Sequence, residues 1–306
     1  WASGAVAPNG IPRRCKARDM SALHWFTEPL AHEFMQRGLV VAVLVGTVCA
    51  LLSCYLVLKG WSLMGDAISH AVLPGIVVAY VLSIPLALGA FAAGLVCTSA
   101  TAYLREHCRV KEDAIMAIVF SGMFAMGLVL FVKVDSDQHL NHILFGNMLG
   151  VRWADVLETA LIAVPVCVIV IAKRRDLLLF CFDAAHARAM GLPVGVLHYG
   201  LLTLVALAIV ASLKAVGVIL VIAMLITPGA IGFLLAKQFG TLSVIAVVSA
   251  VFSCVVGTIA SFHLDTATGP TIVMVQTASF VAALAVNQAQ AAYRRQAKRS
   301  FEAPSG

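Results

Sequence analysis

The chain has 306 residues, of which 61% are hydrophobic and only 12% charged, and its mean hydropathy is +0.97. Soluble domains are roughly 45–50% apolar and about 25% charged, which excludes a water-soluble globular body. The net charge of +6 does not signal nucleic acid, because the basic residues gather at the ends of apolar segments and in the tails, where they anchor and orient membrane proteins.

Lipid-facing backbone must satisfy its own polar groups, so the choice lies between helices and a closed barrel. A barrel reads as strands of about ten alternating residues; a helix needs about 20 apolar residues to cross. The long apolar runs of this chain select helices. The fold class is therefore all-α, a polytopic transmembrane helical bundle of eight or nine spans. Residues 1–27 read as an N-terminal extension, disordered or foreign to the fold. Within it, 1–19 (WASGAVAPNGIPRRCKARD) lacks the apolar core of a signal peptide. Met20 reads as a natural start, and 1–19 are expected to carry no core function.

The first span covers about 38–58 and the second about 64–82, with Pro74 and Gly75 interrupting the latter. The third, 86–104, ends in the polar turn REHCRVKED, and the fourth covers 114–132. A longer polar segment follows, with Asp135, Asp137, His139 and His142, before the fifth span at 156–172. The stretch 177–194 is too polar to cross. Spans six to nine cover about 196–213, 216–235, 242–262 and 271–286. Pro228, between Thr227 and Gly229, suggests a kink or helix end in the seventh. Residues 291–306 form a basic C-terminal tail.

Basic residues concentrate in 105–112, in 173–190 and in the tail. With nine spans all three fall on one side, which the positive-inside rule makes cytoplasmic. The N-terminus then lies outside, against which Arg13, Arg14, Lys16, Arg18 and Arg37 argue. Eight spans is the alternative.

Asp66 and His70 stand four apart inside the second span. Intramembrane ionisable groups are costly and mark pathways or specific pairings. At i and i+4 they share a helix face, where a carboxylate oxygen and an imidazole nitrogen suit Mn, Fe or Zn. The spacing alone admits a metal path, a structural Asp–His pair clamping helices, or a proton relay. His263 and Asp265, two apart at a span boundary, read as an outer gate or a metal-recruiting pair, or as a solvated helix end. The histidines and acids of 135–142 read as a solvated outer loop or a metal-attracting cluster. The stretch 180–193, with Asp183, His186, Arg188 and Gly191, suits a short amphipathic helix on the cytoplasmic face, docked on a partner or merely interfacial. The eight cysteines form no CxxC pair and read as small apolar packing residues. No GxxxxGK[ST] loop is present to cradle a nucleotide, so ATP energy would have to come from another chain.

Four stretches carry a family resemblance: GDAISHAVLPG at 65–75, FDAAHARAMGLP at 182–193, KAVGVILVIAMLITPGAIGFLL at 214–235 and, more softly, LDTATGPTIV at 264–273. The chain resembles the ABC-3 permease subunits of bacterial manganese, zinc and iron ABC importers, in particular the chelated iron/manganese permeases of enteric bacteria. The resemblance implies a type II-like importer permease domain over 28–290, in the bacterial inner membrane, without a nucleotide site or a permanently bound cofactor. It implies a homodimer or a heterodimer with a homologous permease, two ATP-binding cassette ATPase subunits, and a periplasmic or lipid-anchored metal-binding protein. The transported ion would be Mn2+, Fe2+ or Zn2+, with ATP held by the partner subunit. The metal-path role falls on Asp66 and His70. The ATPase-coupling role falls on about 177–194, with Asp183, His186, Arg188 and Gly191, where Ala185-His186 departs modestly from the family pattern. A proton-coupled metal carrier without an ATPase is the alternative function.

Overall fold

A computed structural model describes Pro29 and residues 31–133 and 150–302, and these residues are helical almost throughout. Helix α1 is Glu33–Lys59 and ends where Gly60 adopts φ 78°, a left-handed conformation glycine adopts without strain. The second span is two helices, α2 (Ser62–Ala71) and α3 (Leu73–Val81). They part because Pro74, at the start of α3, has no N–H to return to the carbonyl of His70. Next come α4 (Leu86–His107), α5 (Glu112–Lys133) and α6 (Trp153–Ala172). Two short helices follow, α7 (Arg174–Phe182) and α8 (Ala184–Ala189). The chain closes with α9 (Val194–Val216), α10 (Val218–Leu235), α11 (Phe239–Leu264) and α12 (Thr268–Glu302). The expected basic tail is thus helical to Glu302, continuous with the last span.

Helices α1 and α10 lie side by side at the centre, α11 packs on both, and α12 packs on α10 and α11. Helices α6 and α9 flank α1, while α2 to α5 form a second cluster joined to the first through α2, α4 and α9. Two polar devices hold the centre. Gly46 makes room for the Cys254 thiol, which donates to the Ala42 carbonyl at 3.2 Å. The Ser53 hydroxyl accepts from the Gly229 N–H (2.9 Å) and donates to the Ile226 carbonyl (3.1 Å). Of the two readings of Pro228, a kink or a helix end, the helix end does not occur: α10 runs through it to Leu235. Ser53 supplies a partner to the backbone next to the proline, as a spanning helix with an internal proline requires.

Among the described residues eight helical segments are long and apolar enough to cross a membrane, and α10 is a shorter apolar helix of 18 residues. Its two ends decide the topology. At one end Gly269 lies over the Val216 carbonyl, and the same side holds His32 against Phe262 and Trp153 bonded to Glu33. At the other end Phe233 and Lys237 share a pocket with Leu58 and Arg175. α10 therefore runs from one face to the other, which makes nine helical passes between the two faces among the described residues. The face with Arg175, Lys59 and Arg105 is the inner one by its positive charge. Arg37, which argued against an outer N-terminal end, is there paired with Glu33 and lies 5.6 Å from the centre of the Trp153 ring. Residues 1–28 lie outside the described residues.

No disulfide occurs among the described cysteines. Cys108 is exposed between α4 and α5 on the inner face, whereas Cys181 is buried and its thiol is pushed up to about 12 by burial, against the opposing field of Lys59. In a Cys15→Ser background a membrane-impermeant maleimide is expected to label Cys108 in inside-out vesicles and not in right-side-out ones. Labelling in right-side-out vesicles and not in inside-out ones would reverse the assigned faces.

Candidate metal pathway site

Helix α2 is buried on nearly every side. Met64, Ala67, Ile68, Ser69 and Ala71 are all inside the bundle, and Gly65 presses on Leu225 of α10. The Ser69 hydroxyl bonds back to the Gly65 carbonyl at 2.7 Å, which satisfies it within the helix. One stripe stays open, formed by Leu63, Asp66 and His70, at i, i+3 and i+7. The Asp66 and His70 side chains are each 33% exposed.

His70 Nδ1 lies 3.0 Å from the Asp66 carbonyl oxygen and 3.2 Å from Asp66 Oδ1. The imidazole is thereby held over its own helix, with Nδ1 placed to donate. In the neutral ring that leaves the Nε2 lone pair for a ligand, the usual division of labour in a histidine whose other nitrogen is anchored. Phe120 and Phe124 of α5 lie 6.1 and 5.4 Å from the His70 ring, centre to centre. These phenylalanines are midway along α5, so the pair sits near the middle of the membrane. Gly127 lets α5 close on Pro74, just where α2 gives way to α3.

The other predicted residues fall elsewhere. His263 and Asp265 are at the outer end of α11. Asp265 ends that helix in a left-handed conformation (φ 50°), and His263 meets Phe262 edge-on at 5.5 Å. The structure does not bring them to Asp66 and His70. Among the described residues no group of three or more His, Cys, Asp or Glu is arranged to hold a metal. Asp135, Asp137, His139 and His142 lie outside the described residues.

On the inner face, the polar stretch 177–194 is two helices rather than one. Asp183 divides them and caps α8, its Oδ1 accepting from Ala185 N (2.8 Å) and His186 N (3.0 Å). Those two N–H groups, from His186 first and then Ala185, hold the carboxyl below its usual range. The cap is present at neutral pH and is lost as pH falls through that depressed range. Gly191 ends the turn with φ 79°, and Ala187 is the buried anchor of the helix. His186, Arg188 and Met190 are exposed. Sequence reasoning missed Lys59 and Arg105, which join Arg188 around one cavity; their separation along the chain gave no signal.

Comparisons with known proteins agree with this architecture. Residues 31–287 match the ABC 3 transport family. The chain is 61% identical over 261 residues to the chelated iron transport system membrane protein YfeD of Yersinia pestis, covering 85% of this chain and 88% of that protein. It is 52% identical to the manganese transport system membrane protein MntB of Synechocystis, over 85% of each chain. Among solved structures, PsaBC from Streptococcus pneumoniae in complex with Fab matches with a TM-score of 0.78 at 32% identity, covering 86% of this chain and 95% of that one. The chain belongs to the ABC 3 transport family, as a multi-pass membrane permease component of an ABC-type transporter.

Proposed function

We propose that this chain forms the transmembrane pathway of an ATP-driven importer of Mn2+, Fe2+ or Zn2+, in which Asp66 and His70 are transit ligands. The observation that carries the reading is the open stripe on α2. A carboxylate and an imidazole, 3.2 Å apart and each one-third exposed, stand at mid-depth on a helix otherwise packed on all sides. Ionisable groups are kept at that depth for a task or a pairing. The relatives named for chelated iron and for manganese support a divalent metal as cargo.

Two ligands from one chain are fewer than a cation needs for a full inner sphere. Water supplies the rest, or an equivalent pair from a second permease copy. A sparse site of this kind holds its ion weakly and releases it, which transport requires. Metal would arrive from a periplasmic or lipid-anchored metal-binding protein, exchange part of its water for Asp66 and His70, and leave inward. His263 and Asp265, at the outer end, stand where an arriving cation would first meet the bundle.

Energy would come from two ATPase subunits docked beneath. This reading assigns that contact to helix α8, which Asp183 caps, Ala187 anchors and Gly191 ends, and on which His186 and Arg188 are exposed. Arg188→Glu is expected to reduce ATPase retained on the immobilised permease by about 10-fold, the scale of one charge-assisted contact. Unchanged retention would remove Arg188 from the docking surface. In proteoliposomes holding permease and ATPase, with the metal-binding protein supplied outside, Mn2+ entry is expected to require ATP. Entry driven by a pH gradient alone, without ATPase, would overturn the importer assignment in favour of a proton-coupled carrier.

A further inference from the structure

Three buried side chains of the last two helices have no hydrogen-bond partner among the described residues: the Ser253 and Thr258 hydroxyls of α11, and both ends of the Gln276 amide of α12. Ser253 and Gln276 are wholly buried. Their places follow from the way α11 and α12 meet. At the outer end the Ser261 hydroxyl donates to the Thr268 hydroxyl at 3.0 Å. One turn inward, Gly257 comes so close to Ile272 that a Cβ would fall 2.6 Å from the Ile272 Cα. Each rung moves four residues along both helices, in opposite chain directions, so the next one sets Ser253 against Gln276. Thr258 stands instead in the row of Cys254, which faces α1.

Helix α10 closes the third side. A Cβ on Gly269 of α12 would meet Leu220 of α10 at 4.0 Å. Both helices start at the outer face, so one turn further in Met224, on the same face of α10 as Leu220, is level with Val273. Its carbonyl points inward along the axis, toward the level of Gln276, roughly 12 Å below the start of α12. That carbonyl lacks its ordinary donor, because Pro228 has no N–H. Ser53 supports the broken ladder from α1, but through the Ile226 carbonyl and the Gly229 N–H. Buried polar groups are nearly always paired, the more so at lipid depth. A cation could take the oxygens here but would leave the Gln276 NH2 facing a positive charge. Water both donates and accepts, as the amide and the hydroxyl require. Facing polar groups that do not bond directly are what a bridging water spans, and a buried water makes about three hydrogen bonds.

We infer that the seam between α10, α11 and α12 is a binding site for buried water, held by the Gln276 amide, the Ser253 hydroxyl and the Met224 carbonyl. The proline break in α10 is then supported on two sides, by Ser53 toward α1 and by water toward α12. Through Gln276 the same water fixes the depth of α12 against α10. The site does not depend on which cargo the permease carries or on what docks beneath.

Microsecond X-ray radiolysis of the full-length permease in detergent, read by mass spectrometry, tests it. Hydroxyl radicals formed from a bound water oxidise the side chains beside it, and a thioether is readily converted to the sulfoxide. Met224 and Met116 are both sealed from bulk solvent, at 0% and 1% exposure. Oxidation is expected at Met224 and not at Met116. Gln276→Leu is expected to abolish the Met224 oxidation. It should also lower the Tm, since it leaves the Ser253 hydroxyl and the Met224 carbonyl buried without the amide. If Gln276→Leu fails to fold, Ser253→Ala carries the decision, and Met224 oxidation should fall in it. No oxidation of Met224 in the parent, or oxidation unchanged in the variants, would overturn the site. So would a higher Tm for Gln276→Leu, the mark of a dry seam relieved of an unpaired amide. A Tm gain in sodium chloride over choline chloride that Gln276→Leu abolishes would overturn water in favour of a cation.

Discussion

Metal uptake by a complex carrying Asp66→Ala is expected to fall by at least about 100-fold, because groups that merely orient a metal ligand are already worth 10–100-fold. The substitution removes the carboxylate beside His70 Nδ1 and, with it, the oxygen ligand proposed for the metal. The carbonyl contact of Nδ1 stays, so the imidazole keeps its place and the loss is one of charge and ligation. Asp66 is one-third exposed and fills no tight contact, so the folded bundle should survive. Radiolabelled Mn2+ uptake, normalised to permease in the membrane, measures the effect. Asp66→Asn sharpens it: the amide keeps shape and hydrogen bonding but loses the charge, and uptake should fall nearly as far. Parental uptake by a well-inserted Asp66→Ala complex would make the pair a helix clamp and remove the ligand role.

Gly75→Val is expected to leave little folded protein in the membrane. Helices α3 and α4 cross through two facing small-residue pairs, Gly75 with Ala79 and Gly89 with Ala93. A Cβ on Gly75 would fall on the Gly89 carbonyl oxygen and the Ala93 methyl, and one on Gly89 on the Gly75 carbonyl oxygen and the Ala79 methyl. Backbone blocks backbone, so no rotamer change relieves the clash. Small residues at fixed spacing permit this close approach between membrane helices, where association depends on packing and not on water. Overpacking usually costs about 1–3 kcal/mol, and a clash against backbone on both sides belongs at or above the upper end. Gly122→Ala on α5 is the control, since nothing lies within 4 Å of its added carbon. Its Tm should stay at the parental value while that of Gly75→Ala drops. Equal Tm values for the two would mean that α3 and α4 are not in this contact.

Long apolar runs made most of the bundle legible, including the break beside Pro74 and the short seventh span. The nine-span reading puts the basic loops on one face, and Arg37, which stood against it, is paired with Glu33 beside Trp153. That α10 does not end at Pro228 has a tertiary reason, because the hydroxyl that supports the backbone there sits 176 residues away on α1. The Asp66–His70 pair was readable because four residues make one helical turn. That their stripe is the open side of α2 was not readable, since it depends on which neighbours cover the other sides. For the same reason Lys59, Arg105 and Arg188 looked like ordinary flanking charges until three helix ends met.

Helix α12 has 35 residues, which at 1.5 Å per residue is about 52 Å of rod. The hydrocarbon layer takes up about 30 Å of it. Since α12 starts beside the outer end of α10, roughly 20 Å lies beyond the inner edge of the hydrocarbon, as a post that passes through the headgroup layer and out of it. Any body that seats itself against that leaflet must pass alongside the post, so the last helix acts as a fender that narrows the angles of approach before contact is made.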